Sequence, residues 1–208
     1  RLETAGYLYS AYGLCISSYI ELPILEKIEN KDSVQTPDIY IIKNTDQQVF
    51  KNFIEKADLN EVFINLRNQA YIRISNGEVI EVREESTTDK LKLSLSLLHL
   101  PLACLLYQRG FLCLHASAVR IDNKTHLFCG KSGVGKSSIA SKMLVHGKLI
   151  TEDIAVIDAR LENTKIIPSF PSIKLDDKEA TPLKSSLSII DDGKFDSLGR
   201  SSYKLDEA

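Results

Sequence analysis

Gly130-Lys-Ser-Gly-Val-Gly-Lys136-Ser137 matches the pattern G-x-x-x-x-G-K-[ST] at every fixed position, and each fixed residue has a physical task. The glycines let the backbone curl until successive N–H groups point at one anion. Gly130, Lys131, Ser132, Gly133, Val134 and Gly135 supply that backbone. Lys136 adds a point charge that reaches the outer phosphates of a nucleotide, and the Ser137 hydroxyl suits a hard divalent cation. Ser138 continues into a helix whose positive end faces the same anion. Working outward, Leu127-Phe128-Cys129 is an apolar run suited to a strand entering the loop, and Ile139, Ala140, Met143 and Leu144 follow at helical spacing. Gly147 is expected to stop that helix. Strand, loop and helix together predict a nucleotide-binding α/β domain.

Composition narrows the class. A chain of 208 residues suits one large domain or two small ones, and 43% hydrophobic residues are ordinary for a core-forming protein. A net charge of −2 lacks the basic character of a binder of nucleic acid or of an anionic membrane. The longest apolar stretch, residues 91–106, is interrupted by Lys92, His99 and Pro101. It falls short of the roughly 18 unbroken residues of a bilayer span and reads as a buried helix. Cys15, Cys104, Cys113 and Cys129 stand singly in apolar settings, the pattern of buried, reduced thiols in a cytoplasmic protein. The chain opens on Arg1 without a secretory pattern and closes on Tyr203-Lys-Leu-Asp-Glu-Ala208, an alternation like a strand cut short, so both ends are expected to be incomplete.

Three parts are expected along the chain. Residues 1–88 read as an N-terminal, mainly β lobe: 7–16, 38–43 and 61–66 are strand-like. Residues 70–75 and 78–82 alternate around Asn76-Gly77, a two-residue hairpin signal. Nothing in this lobe reads as catalytic, which leaves structure, recognition or dimerisation, and its charges Glu81, Arg83, Glu84 and Glu85 read as a solvated edge. Residues 89–110 predict a linker helix through Leu91, Leu95, Leu98, Leu102 and Leu106, capped by Thr87, Thr88 or Asp89, kinked at Pro101 and ended by Gly110. Residues 111–208 then carry the glycine loop, with 111–121 and 125–129 as paired strands around Asp122-Asn123-Lys124. Residues 149–151 and 154–157 are further strands. From Pro168 the tail is rich in Ser, Pro and Asp and predicts long loops.

Phosphoryl transfer needs a metal-positioning acid and a group that deprotonates the acceptor. Two sites offer carboxylates. Asp158 ends the apolar run Ile154-Ala-Val-Ile, while Glu152-Asp153 follows Leu149-Ile-Thr151, where a strand beside the loop would end. Pattern alone rates them equal. His115 follows the apolar run 111–114 and reads either as a hydrogen-bonded core histidine or as a partner of Asp153 or of the transferred phosphate. His99, His126 and His146 have no such context.

From about Leu112 to Asp158 the chain resembles the catalytic domain of HPr kinase/phosphorylase, a bacterial serine kinase with a phosphate-binding loop. The family places a histidine fifteen residues before the first loop glycine, as His115 stands before Gly130. Its loop helix is followed by a glycine and a Leu-[IV]-x-Asp-Asp segment, matched here by Gly147 and Leu149-Ile150-Thr151-Glu152-Asp153. The chain carries Lys131 and Ser138 where the family has Asp and Glu, and it lacks the downstream Glu-Ile-Arg-Gly run. Tyr9-Ser-Ala-Tyr-Gly-Leu14, Leu22-Pro23 and Arg200-Ser-Ser-Tyr-Lys204 are closer to HPr-kinase-like proteins of peptide-modification clusters, including the lasso-peptide kinases, which phosphorylate a precursor peptide's C-terminal serine.

The resemblance implies an α/β fold of β lobe, linker helix and phosphate-loop kinase domain of the HPr kinase C-terminal type. It implies ATP and Mg²⁺ bound by residues 130–138, with Ser137 and Asp153 toward the metal. Asp153 is the expected proton acceptor, Glu152 the first acid of the pair, and His115 and Lys136 the charge-stabilising partners. The acceptor would be a serine on a peptide or small protein, in the cytoplasm, with no nucleic acid or membrane as partner and a homo-oligomer compatible. Rival readings are a small-molecule or HPr-type kinase of the same fold, a nucleotide-binding regulator without transfer activity, and nucleotide hydrolysis.

Overall fold

Apolar alternation and turn pairs with positive φ lay most of this chain down as strands, giving a mixed α/β protein with few helices. The computed structural model describes residues 2–3, 6–29, 36–50, 56–160, 162, 164–170, 172–191 and 200–205. The chain divides into two units, residues 1–112 and 113–208.

In the first unit, β1 (Leu2–Glu3), β2 (Tyr7–Ala11), β3 (Leu14–Ser18), β4 (Glu26–Lys27), β5 (Ile39–Asn44), β6 (Lys56–Ala57), β7 (Glu61–Leu66), β8 (Ala70–Ser75) and β9 (Val79–Glu84) form one sheet. Its order is β4-β2-β3-β5-β9-β8-β7-β6, with β1 also paired on β5. The strand-like run 7–16 is in fact a hairpin. Tyr12 and Gly13 take φ of 55° and 71°, the two left-handed positions of a tight turn between β2 and β3. Asn76 and Gly77, at 55° and 66°, turn β8 into β9 in the same way.

β5 pairs in parallel with both β3 and β9, so β9 lies inside the sheet. The expectation of a solvated edge fails there. Glu81 is buried and accepts from Asn44 Nδ2 at 3.2 Å and Arg73 at 2.8 Å. Glu84 accepts from the Tyr19 hydroxyl at 2.8 Å and pairs with Lys43 and Lys90.

A short α1 (Gln47–Phe50) precedes α2 (Lys90–Leu97) and α3 (Leu100–Gln108). The Asp89 side chain caps α2 by accepting from Lys92 N at 3.0 Å. Pro101 occupies the first turn of α3, where its missing N–H loses no partner. The expected kink is therefore a break at Leu98-His99. Gly110, at φ 86°, follows α3 as a left-handed stop. The stretch Lys90–Gln108 is long and apolar enough to cross a membrane by length and composition, and half of it is buried within the protein. α3 packs on β8 and β9 with Leu102, Leu105 and Leu106 fully buried, which is how a core helix spends its apolar face. The residues expected as a linker belong to the first unit.

The second unit runs β10 (Leu112–Leu114), β11 (Ala116–Ile121), β12 (Lys124–Cys129), α4 (Lys136–Met143), β13 (Lys148–Thr151), β14 (Ala155–Asp158), β15 (Lys165–Ile167), β16 (Ser172–Leu175), α5 (Asp177–Ala180), a 3₁₀ turn (Thr181–Ser186), β17 (Leu187–Asp191) and β18 (Ser201–Leu205). Three sheets result, ordered β10-β14-β15, β12-β11-β13 and β16-β18-β17. The sheets of β11 and β16 share a core with α4 and α5, built from Val119, Ala140, Leu149, Ile173, Leu175, Ala180 and Leu205.

Three expectations change in this unit. The single strand over 111–121 breaks at His115 into β10 and β11, which join different sheets. The tail expected as long loops is largely regular from β16 to β17, with residues 171 and 192–199 outside the described residues. Gly147 does not end the helix, which closes at Leu144. It is the site of a close approach: a Cβ there would sit 2.4 Å from Arg120 O and 2.6 Å from Ile121 Cγ1. The cysteines depart too, with Cys15, Cys104 and Cys113 half-buried and Cys129 exposed, all as free thiols.

Candidate functional site

β11 is the central strand of its sheet and runs antiparallel to both neighbours. The ends of β12 and β13 therefore lie at the same edge as the start of β11. β12 ends in the glycine loop, β13 ends in the Glu152-Asp153 turn, and His115 stands just before β11. Three segments distant in sequence thus converge on one cleft of about 240 Å³, lined by His115, Lys136, Ser137, Glu152 and Asp153 among others. A register shift between Ala118 and Val119 against β13 marks a bulge beside the acidic turn, the kind of irregularity that re-aims side chains.

Gly133 and Gly135 take φ of 80° and 96°, values that side-chain-bearing residues rarely adopt. Gly135 opens α4 without any side-chain cap, so the first-turn N–H groups suit an anion. Ser132, Gly133, Gly135, Lys136, Ser137 and Ser138 line the cleft. Gly130 and Lys131 serve through their carbonyls: Lys136 Nζ donates to them at 3.0 and 3.1 Å. Lys136 is only 8% exposed, and an ammonium has three donors, so two fix the loop and one remains for a ligand. Val134 is exposed on the outside of the loop.

Adjacent acids are sent to different partners by a strained turn. Asp153 has φ 74°, and Ile154 N donates to Glu152 O at 2.9 Å across it, closing a γ-turn. The buried Thr151 hydroxyl donates to Ile154 O and braces the turn. Left-handed conformations at non-glycine residues cost on the order of 1–3 kcal/mol and concentrate at functional sites. On one side of the turn Glu152 Oε1 accepts from Ser137 Oγ at 2.6 Å. On the other, Asp153 lies 3.6 Å from His115 Nε2 and 3.6 Å from Lys174 Nζ. Both distances are too long for hydrogen bonds, and the Lys174 contact is an ion pair.

His115, with its side chain 55% exposed, is not the core histidine that its apolar approach run allowed. Asp158, the rival acid, is turned to Arg160, whose Nε and terminal nitrogen donate to its two oxygens at 2.9 Å. That hydrogen-bonded guanidinium holds the Asp158 carboxyl below its ordinary value. Asp158 ends β14, in a different sheet from the loop.

Sequence reasoning missed Lys174, Ser117 and Arg200, which also line the cleft. Lys174 had a signal. In Ser172-Ile-Lys-Leu175, Ile173 and Leu175 face the core at 1% and 0% exposure, so period-2 alternation sends Lys174 to the other face.

The Ser137 hydroxyl and Glu152 carboxylate are hard oxygen donors in contact, which fits Mg²⁺ held by one or two protein groups and completed by phosphates. Among the described residues no group of three or more His, Cys, Asp or Glu is arranged to hold a metal. No protein-family model matches the chain, and no curated protein matches it significantly.

Proposed function

We propose that the second unit is a phosphate-loop kinase domain of the HPr kinase C-terminal type, which transfers the γ-phosphoryl group of ATP to a serine hydroxyl on a peptide. The carrying observation is the convergence of loop, Lys136, Ser137, Glu152, Asp153 and His115 on one cleft. In this reading the loop N–H groups and Lys136 bind the phosphates. Ser137 and Glu152 hold Mg²⁺, with Asp153 beside them. Bound there, the metal neutralises charge on the phosphates. In this reading Glu152 takes the metal-facing role that the resemblance implied for Asp153, because it is the carboxylate in contact with Ser137.

Asp153 takes the proton of the serine hydroxyl as its oxygen forms a bond to the γ-phosphorus. The bond from that phosphorus to the β-phosphate bridging oxygen breaks, and ADP leaves with the electron pair. His115 and Lys174 flank Asp153. They hold its carboxylate in place and offset negative charge on the group in transit. The acceptor proposed is the C-terminal serine of a lasso-type precursor peptide, in the cytoplasm. The net charge of −2 supports a partner other than nucleic acid.

The test is incubation with γ-labelled ATP and Mg²⁺, alone and with Ser-terminated peptides, read by mass spectrometry. One added phosphate on the terminal serine, absent after Ser→Ala in the peptide, is expected. Transfer only to free serine or to intact HPr refutes the acceptor. Phosphate release without any acceptor makes the protein a hydrolase, and binding with neither outcome makes it a regulator.

A further inference from the structure

Ser117 lies in the middle of the cleft's floor and has no assigned task. It is the second residue of β11, paired in register with Phe128 of β12, and its neighbour Ala118 pairs with Thr151 of β13. It therefore stands between the strand that feeds the glycine loop and the strand that feeds Glu152 and Asp153. His115 stands just before the strand that carries it, and both line the cleft. Ser117 is 1% exposed, and its Oγ has no hydrogen-bond partner. Buried hydroxyls are almost always bonded, to protein, water or ligand, and of the described buried side-chain atoms without a partner this is the one on a cleft-lining residue.

We infer that Ser117 Oγ is a ligand contact that donates a hydrogen bond to the terminal phosphoryl group of the bound nucleoside triphosphate. The inference rests on the nucleotide reading above and adds to it a residue that distinguishes the third phosphate from the first two. Position selects that group. The loop N–H groups cradle the inner phosphates and Lys136 reaches outward from them, the acidic turn addresses the acceptor, and the strand between them underlies the atom passing from one to the other. A neutral hydroxyl suits the place, since it meets phosphoryl oxygen without adding charge beside Asp153.

Sign distinguishes this role from a structural one. Removing an unbonded buried hydroxyl leaves the ligand-free fold unharmed, whereas removing a bonded one destabilises it. Calorimetric titration of Ser117→Ala with Mg²⁺ and a non-hydrolysable ATP analogue should show affinity lowered roughly 10- to 100-fold, the worth of one hydrogen bond to a charged group. Affinity for Mg²⁺-ADP should be unchanged, and the ligand-free melting temperature should be equal or higher. Ser117→Cys, which keeps the volume with a weaker donor, should share the selective loss. Equal affinity of wild type and variants for the triphosphate analogue overturns the inference. So does an equal loss for ADP, or a lowered ligand-free melting temperature in Ser117→Ala. Wild-type protein that binds neither nucleotide overturns the nucleotide reading itself, and this inference with it.

Discussion

Replacing Asp153 by Ala, Gly and Asn separates the strain of its turn from the chemistry of its carboxylate. At φ 74° a β-carbon costs roughly 1–2 kcal/mol. Asp153→Ala keeps that cost, and Asp153→Gly removes it. Glycine's greater freedom in the unfolded chain takes back about 0.4–1 kcal/mol. Both variants lose the same contacts to His115 and Lys174, part-exposed pairs worth at most about 1 kcal/mol each, so those cancel between them. Gly should therefore exceed Ala by about 0.8 kcal/mol, and by at most about 1.6 kcal/mol, the reverse of the usual order. Asn tolerates the left-handed region and should be at least as stable as Ala. Urea unfolding of the three proteins, with a common slope, reads the order from the midpoints. Turnover should fall roughly 10²-fold in all three, while nucleotide affinity stays within a few-fold. An Ala variant as stable as the Gly variant refutes the strained turn. An Asn variant with wild-type turnover refutes Asp153 as the base, and Asp158→Asn, bound to Arg160 away from the cleft, should be active throughout.

Other perturbations test neighbouring parts of the reasoning. Lys136→Ala should abolish transfer and weaken binding of a triphosphate analogue, because it removes the loop's buried cation and the two bonds that hold Gly130 and Lys131; unchanged calorimetric affinity would remove the loop's assigned role. Lys174→Met should lower turnover roughly 10-fold with nucleotide affinity intact, since Lys174 contacts Asp153; a loss confined to nucleotide affinity contradicts this. Gly147→Ala should destabilise the protein by about 1–3 kcal/mol, because the added methyl meets the Arg120 carbonyl at 2.4 Å, and an unchanged urea midpoint argues against the close packing. Burial raises the Glu84 carboxyl, but hydrogen bonds from Lys90 and Tyr19 and the charge of Lys43 outweigh it and leave it below its ordinary 4.5. Its contribution is then full above that value and lost as pH falls through the lower folded one, so melting of Glu84→Gln should trail wild type at pH 7 and converge with it toward pH 3.

What was legible in the sequence is what has a local cause. Asn76-Gly77 turns a hairpin because two adjacent residues accept positive φ. Asp89 caps α2 because its oxygen reaches an N–H three residues on. The loop was legible for the same reason, its glycines and Lys136 all acting within one turn of chain. Pairing across distance was not legible. Glu81 and Glu84 look like surface charges until β5 and β8 are known to flank β9. The tail looked like loops because Ser, Pro and Asp dominate its composition. Yet Asp176 and Glu179 form a reciprocal capping box at α5, and that spacing was readable.

The same division separates the cleft-lining residues that the sequence pointed to from Lys174, Ser117 and Arg200, which it did not. A phosphate loop is a binding device that one short peptide segment encodes, whereas an acceptor site must be assembled from whatever the sheet order brings beside it. Because β11 is antiparallel to both β12 and β13, loop and acidic turn are forced to one edge, and the residues that open β11 are forced between them. His115 was weighed from its apolar approach run and from a family spacing, and Ser117, at the start of the strand that follows it, carried no signal of its own. Its placement follows from the order β12-β11-β13, which sets it on the central strand between the strand that ends in the glycine loop and the strand that ends in the acidic turn.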